Sequence, residues 1–179
     1  MIVFSRYMMW LDKRPLATKC VTAAIMVGMG DAICQRFERT KQSSKRHDFL
    51  RSRNFMLYGL LANGPTLHLT YTKLLPWVAA GNSMRSLVKK LIITQTLFAF
   101  VSITSFYTFL CLLEGKSLNG TKNEIRQKFW QTYMMSFKVW PLLQLINFTI
   151  IPPQLQVFWI TLCQLGWNVY LSFVKNNTQ

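Results

Sequence analysis

The stretch LIITQTLFAFVSITSFYTFLCLL, residues 91–113, decides the fold class, because none of its 23 side chains is charged. At a rise of about 1.5 Å per residue, a helix of this length spans the ~30 Å hydrocarbon layer of a bilayer. Residues 54–72 form a second uncharged stretch, and residues 139–174 form a third, interrupted by Pro152 and Pro153. The sequence therefore predicts an all-α integral membrane helical bundle.

The composition supports a membrane protein over other classes of protein. The chain has 179 residues, of which 51% are apolar and 15% charged, with 21 Lys and Arg against 6 Asp and Glu. These values exclude a disordered chain, a collagen and a small disulfide scaffold. The basic excess has no nucleic-acid-binding motif beside it, so we attribute it to charges that flank membrane spans. We expect membrane lipids as partners, with other membrane subunits or a second copy left open, and no nucleic acid.

Four or five membrane helices fit one domain over residues 1–179. They are predicted at about residues 16–35, 54–74, 91–113, 129–151 and 154–174, with a basic connector at 36–53 centred on an exposed Ser43-Ser44. Pro65 and Pro141 predict kinks in the second and fourth helices. Gly115, Asn119 and Gly120 predict a short loop. Basic residues are too evenly divided between the two sides to predict an orientation.

The sequence shows few motifs for targeting, metal binding or catalysis. Arg6, Lys13, Arg14 and Lys19 against one acid near the start are compatible with mitochondrial targeting, and no cleavable secretory signal is expected. The four cysteines lack zinc-site spacing, so we expect small buried side chains and neither metal nor cofactor. No phosphate loop, nucleophile elbow or metalloprotease motif is present, which predicts a non-enzymatic protein.

The first helix carries one face of small and polar residues, at Ala24, Gly28, Asp31 and Gln35. Helices approach each other closely along such a face. A carboxylate at the centre of a bilayer costs ~2.5–3.5 kcal/mol unless something compensates for it. Asp31 is therefore either a pore-lining acid or a structural carboxylate bonded to a neighbouring helix.

Three further helices carry polar faces. His68 is either a proton-sensing or metal-binding group or an interhelical hydrogen-bonding group, and Gln95 belongs to a stripe that we interpret as packing. Gln144 and Asn147 share one face of the fourth helix, where they line an aqueous path or join the helices to each other. Lys138 nearby is expected to extend to a lipid headgroup.

These residues fall into an order that resembles the Mpv-seventeen and peroxisomal membrane protein family over nearly the whole chain. The most specific part is Trp140-Pro141, Gln144 and Asn147-Phe148. The other matching residues, which we take as structural motif positions or polar positions, are residues 15–19, Gly30, Asp31, Gln35, Gly64, Pro65, His68, Tyr71, Pro152, Trp167, Asn168 and residues 170–172. Gly28, on the small face of the first helix, is a further structural motif position.

The resemblance implies a small protein of the mitochondrial inner membrane or, alternatively, the peroxisomal membrane, with a channel-like role in metabolite homeostasis. Four positions depart from the family pattern: Thr70, Thr94, Phe100 and Gln156. Thr94 and Gln156 replace a common acid and arginine, which favours a second hypothesis, a structural accessory subunit of a larger assembly such as a respiratory complex.

Overall fold

The structure is a computed structural model that describes residues 2–41, 46–81, 83–152 and 155–177. These residues form six helices and no strand. They are α1 (Ile2–Lys13), α2 (Pro15–Lys41), α3 (residues 49–78), α4 (Met84–Leu113), α5 (Leu118–Thr149) and α6 (Gln156–Asn177). The predicted all-α class is confirmed, while α1 was not predicted.

Several helices begin at capping side chains that the sequence contains but that the uncharged stretches do not reveal. Asp48 precedes α3 and accepts a hydrogen bond from the Arg51 amide (2.9 Å), and Ser117 precedes α5 and accepts one from the Gly120 amide (3.2 Å). Such acceptors satisfy amides that have no partner within the helix. Gly115 has φ +74°, a conformation that favours glycine, so the turn between α4 and α5 is short.

The helices extend beyond the predicted bounds. α4 begins at Met84 rather than residue 91, α5 begins at Leu118 rather than 129, and α2 ends at Lys41 rather than 35. Lack of charge marks the apolar part of a helix, whereas backbone hydrogen bonding continues through charged turns.

The loops are shorter than predicted, because the helices continue through charged turns. Residues 36–41 and 49–53 of the predicted connector are helical, and only residues 46–48 of its described part lie outside a helix; Ser43-Ser44 lies outside the described residues. Asn119 and Gly120 belong to α5 and not to a loop.

The prolines do not interrupt the helices. Pro141 lies within α5, and Pro65 follows a wider π-helical turn at Gly59–Asn63 in α3. Similar π-helical turns occur at Thr70–Leu74 and Thr94–Phe98. A kink at Pro65 or Pro141 stays a prediction. Pro152 lies in the connection before α6.

Consecutive helices from α2 to α6 run antiparallel, whereas α2 and α6, which are in contact, run parallel. In α4 and α5, Lys90 contacts Phe148 while Tyr107 contacts Thr132, so residue numbers fall in one helix as they rise in the other. We call the two ends of the bundle the Arg51 end, where α3 begins, and the Lys90 end, where α4 begins. Aromatic and aliphatic residues form a core cluster that includes Phe55, Phe106 and Tyr107.

The surface of the described residues is more apolar, and their interior more polar, than in a typical water-soluble protein. Large apolar side chains such as Leu61, Leu97 and Leu162 are exposed, while polar side chains such as Asp31, Gln144 and Asn147 are buried. Two helices, Pro15–Thr40 and Met84–Leu113, are long and apolar enough to cross a membrane, and only 39% and 33% of their most apolar windows are buried. The core helix of a soluble protein would be mostly buried.

Candidate functional site: a polar cavity between four helices

A narrow cavity lies between α3, α4, α5 and α6. Its volume is about 30 Å³, room for about two water molecules. Polar side chains from all four helices line it together with aromatic rings, and these polar residues are Asn63, Thr94, Ser102, Ser136, Gln144, Gln164 and Asn168. No residue of α2 is in this lining, so α2 packs outside the cavity, against α3 and α6.

The cavity lining contains polar atoms that lack a protein partner. Asn63 Nδ2 donates to Gln164 Oε1 (3.2 Å), but Ser136 Oγ and Asn168 Nδ2 are buried without a hydrogen bond within the described part of the chain. Buried polar groups in native proteins are nearly always bonded to protein or to ordered water. The cavity is therefore suited to water or to a polar solute group.

Gln144 joins the cavity to a second helix. Its Nε2 donates to the Tyr71 hydroxyl (2.6 Å), and its Oε1 accepts from Asn147 Nδ2 (3.5 Å). Trp140, one turn earlier, packs edge to face with Trp167 at 5.9 Å between ring centroids. Of the six predicted polar positions, Gln144 alone belongs to the cavity lining.

Asp31 and Gln35 lie in a separate network at the Arg51 end. The fully buried Asp31 carboxylate accepts hydrogen bonds from four donors: Arg51 Nε (2.7 Å), Ser172 Oγ (2.7 Å), Gln35 Nε2 (2.8 Å) and Ser52 Oγ (2.7 Å). Both carboxylate oxygens are thus bonded, which offsets the cost of burying the charge. This geometry favours the structural interpretation of Asp31 over the pore interpretation.

Arg51 ties this network to a second acid. Its two terminal nitrogens donate to the carboxylate of Glu38 (2.9 and 3.0 Å), and one of them also donates to Ser172 Oγ (2.7 Å). The planar guanidinium therefore links α2, α3 and α6 at once.

His68 and Gln95 are not brought together with the cavity lining. His68 is half-buried at the opposite end of α3 from Arg51, where its Nδ1 lies 3.4 Å from Lys19 Nζ. Gln95 is buried on α4, and neither its amide nitrogen nor its amide oxygen has a partner in the described ranges.

A cluster of ion pairs, separate from the Asp31 network, lies at the turn between α4 and α5. Glu124 accepts hydrogen bonds from Lys116 (2.6 Å) and Lys175 (2.9 Å), and Glu114 also bonds Lys175 (2.7 Å). Burial disfavours the ionised Glu124, but the hydrogen bonds from Lys116, Lys175 and Cys111 outweigh it and lower its pKa to about 2. Burial lowers the pKa of Lys128 nearby.

The same turn brings together Cys111, Glu114 and Glu124, whose potential ligand atoms lie within 4.8 Å of one another. Three ammonium groups contact these carboxylates, namely those of Lys116, Lys128 and Lys175. A metal cation would have to displace them, so the arrangement favours ion pairing over metal binding.

The glycines of the motif are positions of close helix approach. A Cβ on Gly30 would lie 2.5 Å from Asn168 Cβ of α6, and one on Gly64 would lie 2.6 Å from Cys20 Cα of α2. At Gly28 the nearest atom belongs to the flexible Met56 side chain.

Most of the polar residues of the cavity lining were not predicted from the sequence as lining residues. Gln164 and Asn168 of the lining lie four residues apart on α6, one turn before Ser172 of the Asp31 network, and Ser136, Trp140 and Gln144 have the same spacing on α5. This spacing places each set on one helix face. The spacing is present in the sequence, but Ser136 precedes the Trp140-Pro141 pair, and the α6 stretch stands out in the sequence for its lack of charge rather than for a polar face.

Comparison with known proteins gives one family and a consistent set of relatives. The model of the Mpv17 / PMP22 family matches residues 111–172. Protein sym1 of Aspergillus oryzae is 32% identical over 97% of this chain and 98% of its own length. PXMP2/4 family protein 2 of Dictyostelium discoideum is 30% identical, over 94% of this chain and 89% of its length. Peroxisomal membrane protein 2 of Bos taurus is 27% identical, over 94% and 87%. No solved structure matches the chain.

Proposed function

Because the chain belongs to the Mpv17 / PMP22 family, we propose that it is a non-enzymatic membrane protein that provides or regulates a polar pathway between its helices. The cavity between α3 and α6 is the proposed centre of this pathway. Membrane lipids are the proposed surroundings of the exposed apolar residues.

The proposed topology has five spans, α2 to α6. The shortest of these helices has 22 residues, which corresponds to about 33 Å and exceeds the ~30 Å hydrocarbon layer. The charged ends of the longer helices would extend into the headgroup region. This topology places the start of α2 and the end of α6 on opposite sides of the membrane.

The observation that carries the proposal is the pair of unpartnered polar atoms in the cavity, Ser136 Oγ and Asn168 Nδ2. A bundle joined only by interhelical hydrogen bonds would pair these atoms, whereas a hydrated path needs free donors and acceptors along it. The volume of about 30 Å³ corresponds to a closed state of the pathway. Conduction requires the helices to separate.

Reconstitution in planar bilayers tests the pathway. We expect conductance steps above those of an empty bilayer, and we expect Asn168→Leu to reduce them because it removes a cavity amide. Leu162→Met is the matched control, since Leu162 is exposed on the same helix. The absence of conductance above the empty bilayer, across voltage and pH, would reject the proposal.

The proposed location is the mitochondrial inner membrane, with the peroxisomal membrane as the alternative. The basic residues near the start of the chain support the first, and the name of the Bos taurus relative supports the second. Imaging of a tagged copy beside markers for both organelles tests this proposal. Signal confined to peroxisomes would reject the mitochondrial assignment.

A structural subunit of a larger membrane assembly is the second candidate. The narrowness of the cavity favours it, together with the uncharged Thr94 and Gln156 at positions where the family commonly has charges. Extraction in a mild detergent, followed by native gel and mass spectrometry, separates the candidates. Migration alone or as a small homo-oligomer would reject the subunit role.

A further inference from the structure

A second and larger cavity opens at the Lys90 end of the bundle. Its volume is about 350 Å³, within the range of small-molecule sites, against about 30 Å³ for the central cavity. Its lining combines apolar residues with a few polar side chains from four helices. We call it the Lys90 vestibule, defined by Tyr71, Ala79, Lys90, Phe148 and Gln156.

Lys90 supplies an uncompensated positive charge to this vestibule. Its ammonium donates to the carbonyl oxygen of Gly81 (3.0 Å) and lies 5.6 Å from the centre of the Phe148 ring. These contacts hold the half-buried side chain in place, and neither of them is to a carboxylate. A neutral carbonyl and an aromatic face leave the positive charge available to an anion.

The two ends of the bundle differ in how their interior charges are paired. At the Arg51 end, cations that are buried or half-buried meet buried acids, as in Arg51 with Asp31 and Lys175 with Glu124. Asp12 belongs to α1, and the other acids of the chain lie toward the Arg51 end. An anion that approaches the Lys90 vestibule therefore meets attraction without a competing carboxylate on α3, α4, α5 or α6 there.

Tyr71 and Gln144 connect the vestibule to the central cavity. Tyr71 lines the vestibule, Gln144 lines the cavity, and the hydrogen bond between them is 2.6 Å long. This bond is therefore a direct contact between the lining of the larger space and the lining of the smaller one. A solute with an oxygen acceptor can replace the Tyr71 hydroxyl as the acceptor of the hydrogen bond from Gln144 Nε2.

We propose that the Lys90 vestibule binds small anionic groups, carboxylate or phosphate, and that the Tyr71–Gln144 contact bars their way to the central cavity. The proposal rests on the polar pathway proposed above and names its solute class. Lysine binds such groups as a compact point charge. The same chemistry is offered by a dissolved anion and by an anionic lipid headgroup.

Binding of inorganic pyrophosphate tests the proposal without requiring conduction. The protein is placed in phosphatidylcholine nanodiscs, and binding is measured by calorimetry for the wild type, Lys90→Gln and Lys89→Gln. Lys89 is exposed one residue away, so its variant loses the same charge outside the vestibule. We expect Lys90→Gln to weaken binding about tenfold and Lys89→Gln to leave it within about twofold.

A second set of nanodiscs containing phosphatidylglycerol distinguishes the two sources of the anion. Lys90-dependent enrichment of phosphatidylglycerol, with loss of pyrophosphate binding, would identify a lipid headgroup as the occupant; unchanged pyrophosphate binding would identify a dissolved anion. Equal weakening in both lysine variants, or no anion binding in either disc, would overturn the proposal.

Conductance of the same proteins separates this inference from the pathway itself. Conductance without Lys90-dependent binding rejects the vestibule and leaves the pathway. Lys90-dependent binding without conductance rejects the pathway and leaves an anion-binding site.

Discussion

Asp31 shows how this bundle accommodates a charge in its interior. An unpaired carboxylate at the centre of a bilayer costs ~2.5–3.5 kcal/mol, and four donors from α2, α3 and α6 surround this one. The carboxylate therefore holds three helices together. It is not part of the lining of the cavity, and its charge is taken up by these donors, so it is not placed to select solutes.

Asp31→Asn is expected to lower the free energy of unfolding by about 3 kcal/mol, because Arg51 would lose its buried counter-ion. Denaturation in detergent measures this effect, and Asp12→Asn, at an exposed acid, is the control and should change stability by less than about 0.5 kcal/mol. Unchanged stability with an altered anion-to-cation permeability ratio would instead support the pore interpretation.

The ion pairs of Glu124 predict that the folded protein loses stability in acid. Its pKa in the folded protein is about 2, below the ordinary value of 4.5. A depressed pKa means that the ionised form stabilises the fold above the ordinary value, and that this stabilisation is lost as pH falls from 4.5 toward 2. Lys116 is partly exposed, so solvent screening limits the loss at about pH 3 to ~1 kcal/mol.

The measurement is the denaturation midpoint in detergent between about pH 6 and pH 3, for the wild type and for Glu124→Gln. The variant should be less stable at pH 6 and should show a shallower fall with acid. Parallel pH profiles for the two proteins would contradict the assignment.

At the scale of the helices, α2 and α6 are in contact at a glycine. Gly30→Ala places a methyl group 2.5 Å from Asn168 Cβ and close to the backbone of α6. We expect a loss of about 1–3 kcal/mol from overpacking. Gly166→Ala on α6 has open space around the new methyl and should gain about 0.5–1 kcal/mol.

Thermal unfolding of both variants in the same detergent provides the comparison. Equal stabilities would show that α2 and α6 are not in contact at Gly30.

The sequence predicts which helices exist better than it predicts where they end. Residues 91–113 identify the apolar part of α4, but Met84–Lys90 continue the same helix because Ser83 caps it and charged side chains do not interrupt backbone hydrogen bonding. The missed α1 has no uncharged stretch long enough to stand out. Helix ends depend on caps such as Ser117, which look like ordinary loop residues until the following turn is known.

At the scale of the whole molecule, the candidate site could be predicted only in part. Polar residues on helix faces, Gln144 and Asp31 among them, could be identified from the sequence, because polar side chains are costly in lipid and therefore rare in membrane helices. The sequence does not show that Gln144 lines the cavity while Asp31 belongs to a separate network, since this depends on which faces of α2 and α5 contact which neighbouring helices. Asp31 is joined to Ser172 across 141 positions, and no periodicity within one helix encodes that contact.

The central claim is that α4 faces lipid on one side and the protein interior on the other. Nitroxide labels test it in nanodiscs, after replacement of the four free cysteines Cys20, Cys34, Cys111 and Cys163. A label replacing Leu97, which is 53% exposed, should be accessible to oxygen and shielded from a water-soluble nickel chelate; one replacing the exposed Lys122 should show the reverse. Nickel accessibility at Leu97 equal to that at Lys122, or exclusion of both reagents there, would contradict the claim.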